Sequence, residues 1–371
     1  LKRIQKPLIY FSLITITMTN ENKENNLNFR ILTHSGCSDG FYSAWIVKRY
    51  FNELTGQNLT REQITQIPVL GQRPAKMQTG EIELTEFDIV LDLPLPEEKK
   101  VFMWVDHHSS AKPKRDLHAH EHWELLPSCT GQLITMLKNK GVEISKELED
   151  FKIAMDKNDS ADYTSEEIKE SYYQQDPKHQ ASTLLKAHIL SSFVHTRDIF
   201  LNNTLLENLT KADQNADSPL SDKQLLQVVP ELFHQARLTG HVEWREQVDT
   251  YIKYNEEHKT IVQDNRLVRR TKGIVDRFYQ YIKFPQASYG MIIKDKDEDL
   301  VYFGIGCNIF HKDRCKIDIG KLCKDIATKF GTGGGGGHKT VGGAVLNKEH
   351  TEAAIAMILE TIQNADKSNQ N

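Results

Sequence analysis

An α/β protein of two units is the fold class this sequence predicts, and three observations carry the reading. Strand-like apolar runs alternate with helically spaced stretches over the first part of the chain. The same alternation resumes near Ile274. Three of the early runs each end in Asp or His. Strands separated by helices make a parallel sheet covered on both faces. In such sheets a ligand sits beyond the carboxyl ends of the strands, so a site is expected at that edge.

A chain of 371 residues is longer than single cores usually grow, which favours more than one domain. With 39% hydrophobic and 26% charged residues the composition is that of an ordinary globular protein. A net charge of -4 excludes a chain-wide electrostatic trap for nucleic acid, though a local basic surface can still hold a short phosphorylated ligand. The five cysteines (Cys37, Cys129, Cys307, Cys315, Cys323) are odd in number and contain no CxxC pair. Neither a disulfide framework nor a zinc ribbon is expected from them, and a reducing compartment is.

Lys2, Arg3 and Lys6 precede an apolar stretch over residues 8–18, as in a secretory signal, but only the polar run 19–26 follows it. Met18 stands directly before that run, so residues 1–26 are expected to be an untranslated or disordered extension. A targeting signal is the alternative, and the main expectation for location is cytoplasmic. Nothing later is long and apolar enough to span a bilayer.

The first strand is expected over 29–33, running into a loop from His34 to Gly40 and then a helix over 41–51. A second strand over 87–91 ends in Asp92 before the breaker Pro94-Leu95-Pro96, and a third over 101–105 ends in Asp106-His107-His108. Residues 166–259 read as mostly helical, with a break at Pro219. Beyond them, 288–294 and 300–307 read as a strand pair and 316–329 as a helix. The glycine run 333–337 leads into His338, then a strand ending at Val345, with a last amphipathic helix over 351–362. The expected domains are 27–200 (catalytic), 201–268 (helical connector) and 269–363 (smaller α/β substrate-binding unit), with a tail at 364–371. The active site is expected in the cleft between the first and last of these.

Two adjacent histidines at a strand end can place one imidazole on a metal and turn the other to a bound phosphate, while Asp106 orients them or joins the coordination shell. A lone His-His pair is more often a surface loop. Asp92 on the neighbouring strand, with His34 and Asp39 after the first, makes that explanation the weaker one. Mixed carboxylate and imidazole ligands suit Mn²⁺, and two ions can clamp the attacking and leaving oxygens of a phosphoryl transfer. Glycines let a backbone approach phosphate oxygens closely and aim successive N–H groups at them. Gly335, Gly336 and Gly337 with His338 are therefore candidate phosphate contacts, as is Arg314.

At these residues the chain resembles the DHH/DHHA1 superfamily, which includes nanoRNases, cyclic-dinucleotide and pAp phosphatases, and polyphosphatase-like enzymes. The signature stands as Val105-Asp106-His107-His108. The second-domain motif stands as Gly335-Gly336-Gly337-His338-Lys339-Thr340-Val341-Gly342-Gly343. The resemblance implies that His34, Asp39, Asp92 and His107 ligate metal and that His108 faces the scissile phosphate. It also implies a fourth-motif Asp, for which Asp159 in Asp159-Ser160-Ala161-Asp162-Tyr163 fits best and Asp156 next. The first motif departs from the pattern, because Cys37 holds the place of its first Asp. A thiolate favours Zn²⁺ or Fe²⁺ over Mn²⁺, while a buried cysteine that ligates nothing is the competing reading.

The implied activity is metal-activated hydrolysis of phosphodiester or phosphomonoester bonds in short oligonucleotides or nucleotides. One or two Mn²⁺ ions are expected, with Mg²⁺, Co²⁺ or Zn²⁺ as substitutes; a homodimer is compatible and a membrane partner is not expected. An exopolyphosphatase or pyrophosphatase is the enzymatic alternative, and a catalytically weak phosphate-ligand or RNA-binding module the non-enzymatic one. His118, His120 and His122 alternate but lie in a charged loop. Cys307, Cys315 and Cys323 fall eight apart and read as core packing. Phe278, Tyr279, Tyr281 and Phe284 read as packing between connector and second domain.

Overall fold

The computed structural model describes residues 28–168, 248–268 and 278–368, except 79 and 267. Two sheets organise them. The first is all-parallel with strand order β2-β1-β3-β4-β5, where β1 is Arg30–His34, β2 Val69–Gln72, β3 Asp88–Leu91, β4 Met103–Asp106 and β5 Glu121–Trp123. The second has order β10-β11-β9-β8-β7-β6 and is antiparallel except for the β7–β8 pair. Its strands are β6 Ile252–Asn255, β7 Thr260–Asp264, β8 Tyr289–Asp295, β9 Leu300–Cys307, β10 Gly331–His338 and β11 Val341–Asn347.

The core of the first unit lies under α1 (Ser38–Arg49), α5 (Cys129–Asn139) and α6 (Lys146–Ser160). These helices press Tyr42, Trp45, Leu133, Ile134 and Phe151 onto Ile31, Ile89, Leu91 and Val105. The short helices α2 (Phe51–Thr55) and α3 (Arg61–Gln66) close one end, where Thr60 and Gln63 form a reciprocal capping box. Alternate strand residues, Leu32, Val90 and Trp104, face the other side with Met77 of α4 (Pro74–Gln78), so both faces are covered. Residues 169–247, where most of the expected connector and its break at Pro219 fall, lie outside the described residues.

Three local expectations are overturned. The helix expected from residue 41 begins at Ser38, which puts Asp39 in its first turn rather than in a loop. Helix was expected as far as residue 259, but β6 and β7 occupy 252–264, and Ile252 and Ile261 are buried beside Phe278, Tyr279 and Tyr281. Their β-branched residues gain more from a pleated, half-buried surface than a helix would give them. The glycine run, expected only to lead into a strand, is itself an edge strand, β10, paired with β11.

Packing explains that strand. The helix α8 (Ile319–Phe330) lies flat on the β10–β11 hairpin at backbone contact. A Cβ on Gly335 would stand 2.4 Å from the Cys323 carbonyl, and one on Gly320 would stand 2.4 Å from the Gly337 carbonyl. Glycine is therefore the residue that allows helix and hairpin to approach on both sides of the contact. From the same helix, Ile319, Leu322, Cys323 and Ile326 join Met291, Phe303 and Ile305 and the Ile358 and Ile362 side chains of α9 (Thr351–Ser368). The short helix α7 (Tyr279–Lys283) contributes Tyr281, whose hydroxyl donates to the Gly306 carbonyl at 3.0 Å.

Cys307 and Cys315 form a disulfide with Cα atoms 5.7 Å apart, against the expectation of plain core packing for this pair. Spacing concealed the pairing, because a short 3₁₀ segment, Ile309–Arg314, folds back between them. On that segment Lys312 reaches Asp162 at 3.4 Å and the Ser160 carbonyl at 3.5 Å, which ties the second unit to the end of α6.

The close contact at Gly320 yields a test in which two effects oppose. Alanine is the better helix former by about 1 kcal/mol, but overpacking against an immovable backbone carbonyl costs about 1–3 kcal/mol. Gly320→Ala should lower the urea midpoint, whereas an unchanged or raised midpoint would show that α8 does not touch the hairpin.

Candidate metal centre in the interdomain cleft

Gly40 starts the site. A Cβ there would fall 2.7–2.9 Å from the backbone and Cβ of His34, so glycine lets α1 begin directly against the end of β1. Asp39 thereby points across to α5, where its carboxylate accepts the backbone N–H groups of Cys129 at 2.7 Å and Thr130 at 2.9 Å. Those are unsatisfied donors of a helix N-terminus, whose dipole favours a negative charge. Burial beside Asp92 and Asp159 acts the other way and pushes the Asp39 pKa up to about 7.

Asp92 follows β3 with φ of 55°, a left-handed conformation that a non-glycine side chain adopts at a cost of about 1–3 kcal/mol. It is 1% exposed, and neither carboxylate oxygen has a hydrogen bond. Three imidazoles face it instead: His34 Nδ1 at 3.4 Å, His107 Nε2 at 3.4 Å and His108 Nδ1 at 3.6 Å. Burial alone would raise its pKa; the imidazoles reverse the shift and hold it below the usual carboxylate range.

The two histidines after β4 are held differently. The Nδ1 of His107 lies 2.9 Å from the Leu126 carbonyl, which as an acceptor fixes the proton there and leaves Nε2 facing inward. That nitrogen is 3.4–3.5 Å from oxygens of Asp39, Asp92 and Asp159. Burial opposes a charge on His107, but the three carboxylates overcome it and its pKa is pushed up to about 11. His108 has Nδ1 2.7 Å from Asp106 Oδ1, which also accepts the N–H groups of His107 at 2.8 Å and His108 at 3.2 Å. Asp106 therefore orients the pair through one oxygen. Burial again opposes the charge on His108, while Asp106 and Asp92 raise its pKa to about 9.

The structure brings His34, Cys37, Asp39, Asp92, Asp106, His107, His108 and Asp159 together. They fall into three groupings whose ligand atoms lie within 4.8 Å of one another: Asp92–Asp106–His107–His108, His34–Cys37–Asp92, and Asp39–His107–Asp159. Metal–ligand bonds of about 2.0–2.3 Å put neighbouring ligand atoms roughly 3.0–3.6 Å apart, the spacing seen between His107 and its carboxylates. The donor set and its unbonded buried atoms fit divalent ions.

Asp156 does not join. One oxygen accepts Ser128 Oγ at 2.6 Å and the other Lys152 at 2.6 Å, one helical turn from Asp159 and against the start of α5. Arg314 stands apart as well, with its guanidinium on the Pro285 carbonyl at 3.1 Å. Gly335 is closed off by α8, as described above. His338, at the end of β10, is the contribution of the second unit: its ring stacks on His108 with centroids 5.3 Å apart and planes 18° from parallel.

Sequence reading missed the residues that hold this arrangement. Asn158 donates to Ser38 Oγ at 2.8 Å and accepts the Tyr163 hydroxyl at 3.0 Å, pinning the end of α6, and with it Asp159, to the start of α1. Trp123 Nε1 donates to the His108 carbonyl at 3.0 Å. The one available signal was the density of polar residues around Asp159, which does not say which of them turns inward.

No family model matches the sequence, and no curated protein matches it by sequence. An α/β protein with a carboxylate–imidazole cluster at the carboxyl edge of its parallel sheet is the class that fold and site define. Among solved structures, a pGpG-specific phosphodiesterase, PggH of Vibrio cholerae, is similar with a TM-score of 0.61 and 19% identity over 91% of this chain and 99% of that one. The DHH domain of a member of a ribosomal-protein family is similar with a TM-score of 0.52 and 13% identity over 91% of this chain and 87% of that one. The chain shares the fold of these two proteins, one of which is named as a DHH domain.

The raised imidazoles predict a pH dependence. A raised folded-state pKa stabilises fully below the unfolded value and is lost as pH rises through the folded one. In chelator-treated protein, stability to urea should fall from pH 6.5 towards 9 as both histidines keep protons that the unfolded chain has released. Asp106→Asn should remove the His108 share, roughly half the slope in that window. A flat profile in the parent protein would refute this electrostatic description.

Proposed function

We propose that this protein is a divalent-metal-dependent phosphoesterase that hydrolyses phosphodiester bonds in short linear nucleotides. Buried, strained Asp92 is the observation that carries the reading. A buried carboxylate whose oxygens meet only imidazole nitrogens, at the long distances of 3.4–3.6 Å, is one that divalent ions set among the same groups would complete. His34, Cys37, Asp39, Asp92, His107 and Asp159 would hold the ions.

Bound divalent ions would supply a water of lowered pKa and neutralise charge on the phosphoryl group. The protein's own groups do the rest. Leu126 fixes the His107 tautomer, and Asp106 fixes His108 with Nε2 left available for a phosphate oxygen. His108, held at Nδ1 by Asp106, would donate from a protonated Nε2 to the phosphate as charge develops. The His338 ring above it gives the second unit a donor over the same point.

A likeness of fold to a protein named as a pGpG-specific phosphodiesterase makes a linear dinucleotide the first substrate to test. The polyphosphatase alternative is served by the same metal centre, and a cleft with one imidazole from each unit favours a short ligand in either case. The binding-module alternative is weakened by the completeness of the cluster. Among the described residues no helix is long and apolar enough to cross a membrane.

The test is turnover of pGpG, pAp, cyclic dinucleotides and short polyphosphate by chelator-treated protein resupplied with Mn²⁺. Hydrolysis of the linear dinucleotide is expected, and absence of turnover on the whole panel would overturn the reading. His107→Ala should lower kcat/KM by more than about 100-fold, since even groups behind the ligands contribute 10–100-fold at metal sites.

A further inference from the structure

Two of the three ligand groupings have no residue in common and are chemically unequal. His34–Cys37–Asp92 offers an imidazole, a sulfur and a carboxylate, whereas Asp39–His107–Asp159 offers only oxygen and nitrogen. We infer that the centre is built for two different ions: a thiophilic one, of the Zn²⁺, Fe²⁺ or Co²⁺ kind, at His34–Cys37–Asp92, and a harder one, such as Mn²⁺, at Asp39–His107–Asp159. This inference rests on the metal-dependent reading above and adds the selectivity within it.

Cys37 is placed for this role. It stands at the N-cap of α1 with extended backbone, φ -110° and ψ 133°, a position where Ser, Thr, Asp or Asn normally bonds a backbone N–H, yet its side chain makes no capping hydrogen bond. Gly36, at φ of 73°, turns the chain just before it. The thiol instead points inward, with Sγ 3.8 Å from Asp159 Oδ1.

The other free cysteines differ. Cys129 is buried with its thiol donating to the Val105 carbonyl at 3.3 Å, and Cys323 is buried where α8 meets the glycine hairpin. Cys37 alone among these three is half-buried and set among other ligand atoms. Two further observations point to an ion rather than a packed thiol. The Nδ1 of His34 is buried without a hydrogen bond, and so are both oxygens of Asp92, which is 1% exposed.

Sulfur decides between ions. A thiolate binds soft and borderline divalent ions in preference to Mn²⁺ or Mg²⁺, whereas carboxylates with one imidazole suit Mn²⁺. Asp92 lies at the junction, because its Oδ2 faces His34 while its Oδ1 faces His107. One oxygen can therefore serve each position, which lets two ions of different kind sit side by side.

The test is spectroscopic and independent of turnover. Full-length protein stripped with a chelator is titrated with Co²⁺, followed by absorbance, and with Mn²⁺, followed by electron paramagnetic resonance. A thiolate-to-cobalt charge-transfer band in the near ultraviolet is expected, saturating at one Co²⁺ per chain and lost when Zn²⁺ is added. In Cys37→Ser the band should vanish and Zn²⁺ affinity fall by about 10–100-fold, while the Mn²⁺ signal stays. Cys37→Asp should bind two Mn²⁺, with circular dichroism checking that both variants fold.

Two bound Co²⁺ ions without a charge-transfer band in the parent protein would overturn the inference and leave the phosphoesterase reading intact. So would an unchanged Zn²⁺ affinity in folded Cys37→Ser. If the parent protein binds none of these ions, the metal-dependent reading falls with it.

Discussion

Crowding of carboxylates in a dry place is the constraint on which the first unit depends. Asp39 and Asp92 are almost wholly buried, and Asp159 lies within reach of the same imidazole. Like charges this close and this far from water repel strongly, and burial penalises each one separately. Three local devices reduce the penalty. The N-terminus of α5 binds Asp39, the imidazoles of His34, His107 and His108 surround Asp92, and the Asn158 link to Ser38 holds the helix that carries Asp159. None of them gives Asp92 a hydrogen bond. Its strained backbone, and oxygens that meet only imidazole nitrogens at 3.4–3.6 Å, are thus a local sacrifice of stability.

A similar conflict between packing and chemistry runs through the second unit, with a different outcome. Its glycine run is usually read as a flexible cradle for phosphate. Here the glycines bring α8 to backbone contact with the β10–β11 hairpin, and Gly337 leaves no room for a side chain because a Cβ would meet the Val341 carbonyl at 2.3 Å. A hairpin clamped in this way is stiff. Its stiffness matters at the far end, where His338 must sit over His108 across a gap between two separately built cores. The run thus carries one imidazole to the His108 ring on a strand paired on one side only.

Much of this was legible in the sequence, for physical reasons that can be named. The buried strands β1, β3 and β4 announce themselves as apolar runs, and the residues ending them are where an open α/β sheet delivers chemistry, so His34, Asp92, His107 and His108 could be placed from the sequence alone. The short edge strands β2 and β5 carry too few apolar residues to be seen. The choice between Asp156 and Asp159 was not legible either. Both lie on α6 three residues apart, and what separates them is Ser128 and Lys152, partners that only the tertiary structure supplies. The disulfide between Cys307 and Cys315 was hidden for the same reason, because the 3₁₀ turn that closes it leaves no periodic trace.

Cys37 joins these two lines of thought. Read as a sequence, it is a departure from the pattern that every other ligand position follows, and a departure is compatible with decay of a site as well as with specialisation. Decay makes a structural forecast: a lost ligand leaves its neighbours free to relax, with Asp92 returning to an ordinary backbone conformation and its oxygens finding donors. The opposite is found. Asp92 has φ of 55° and meets only imidazole nitrogens at 3.4–3.6 Å, His34 Nδ1 among them, and the thiol lies 3.8 Å from Asp159 Oδ1. Asp92 is strained beside the departing position, and strain persists only where the surroundings over-determine it. These features support the reading that the ligand set has changed in kind rather than failed.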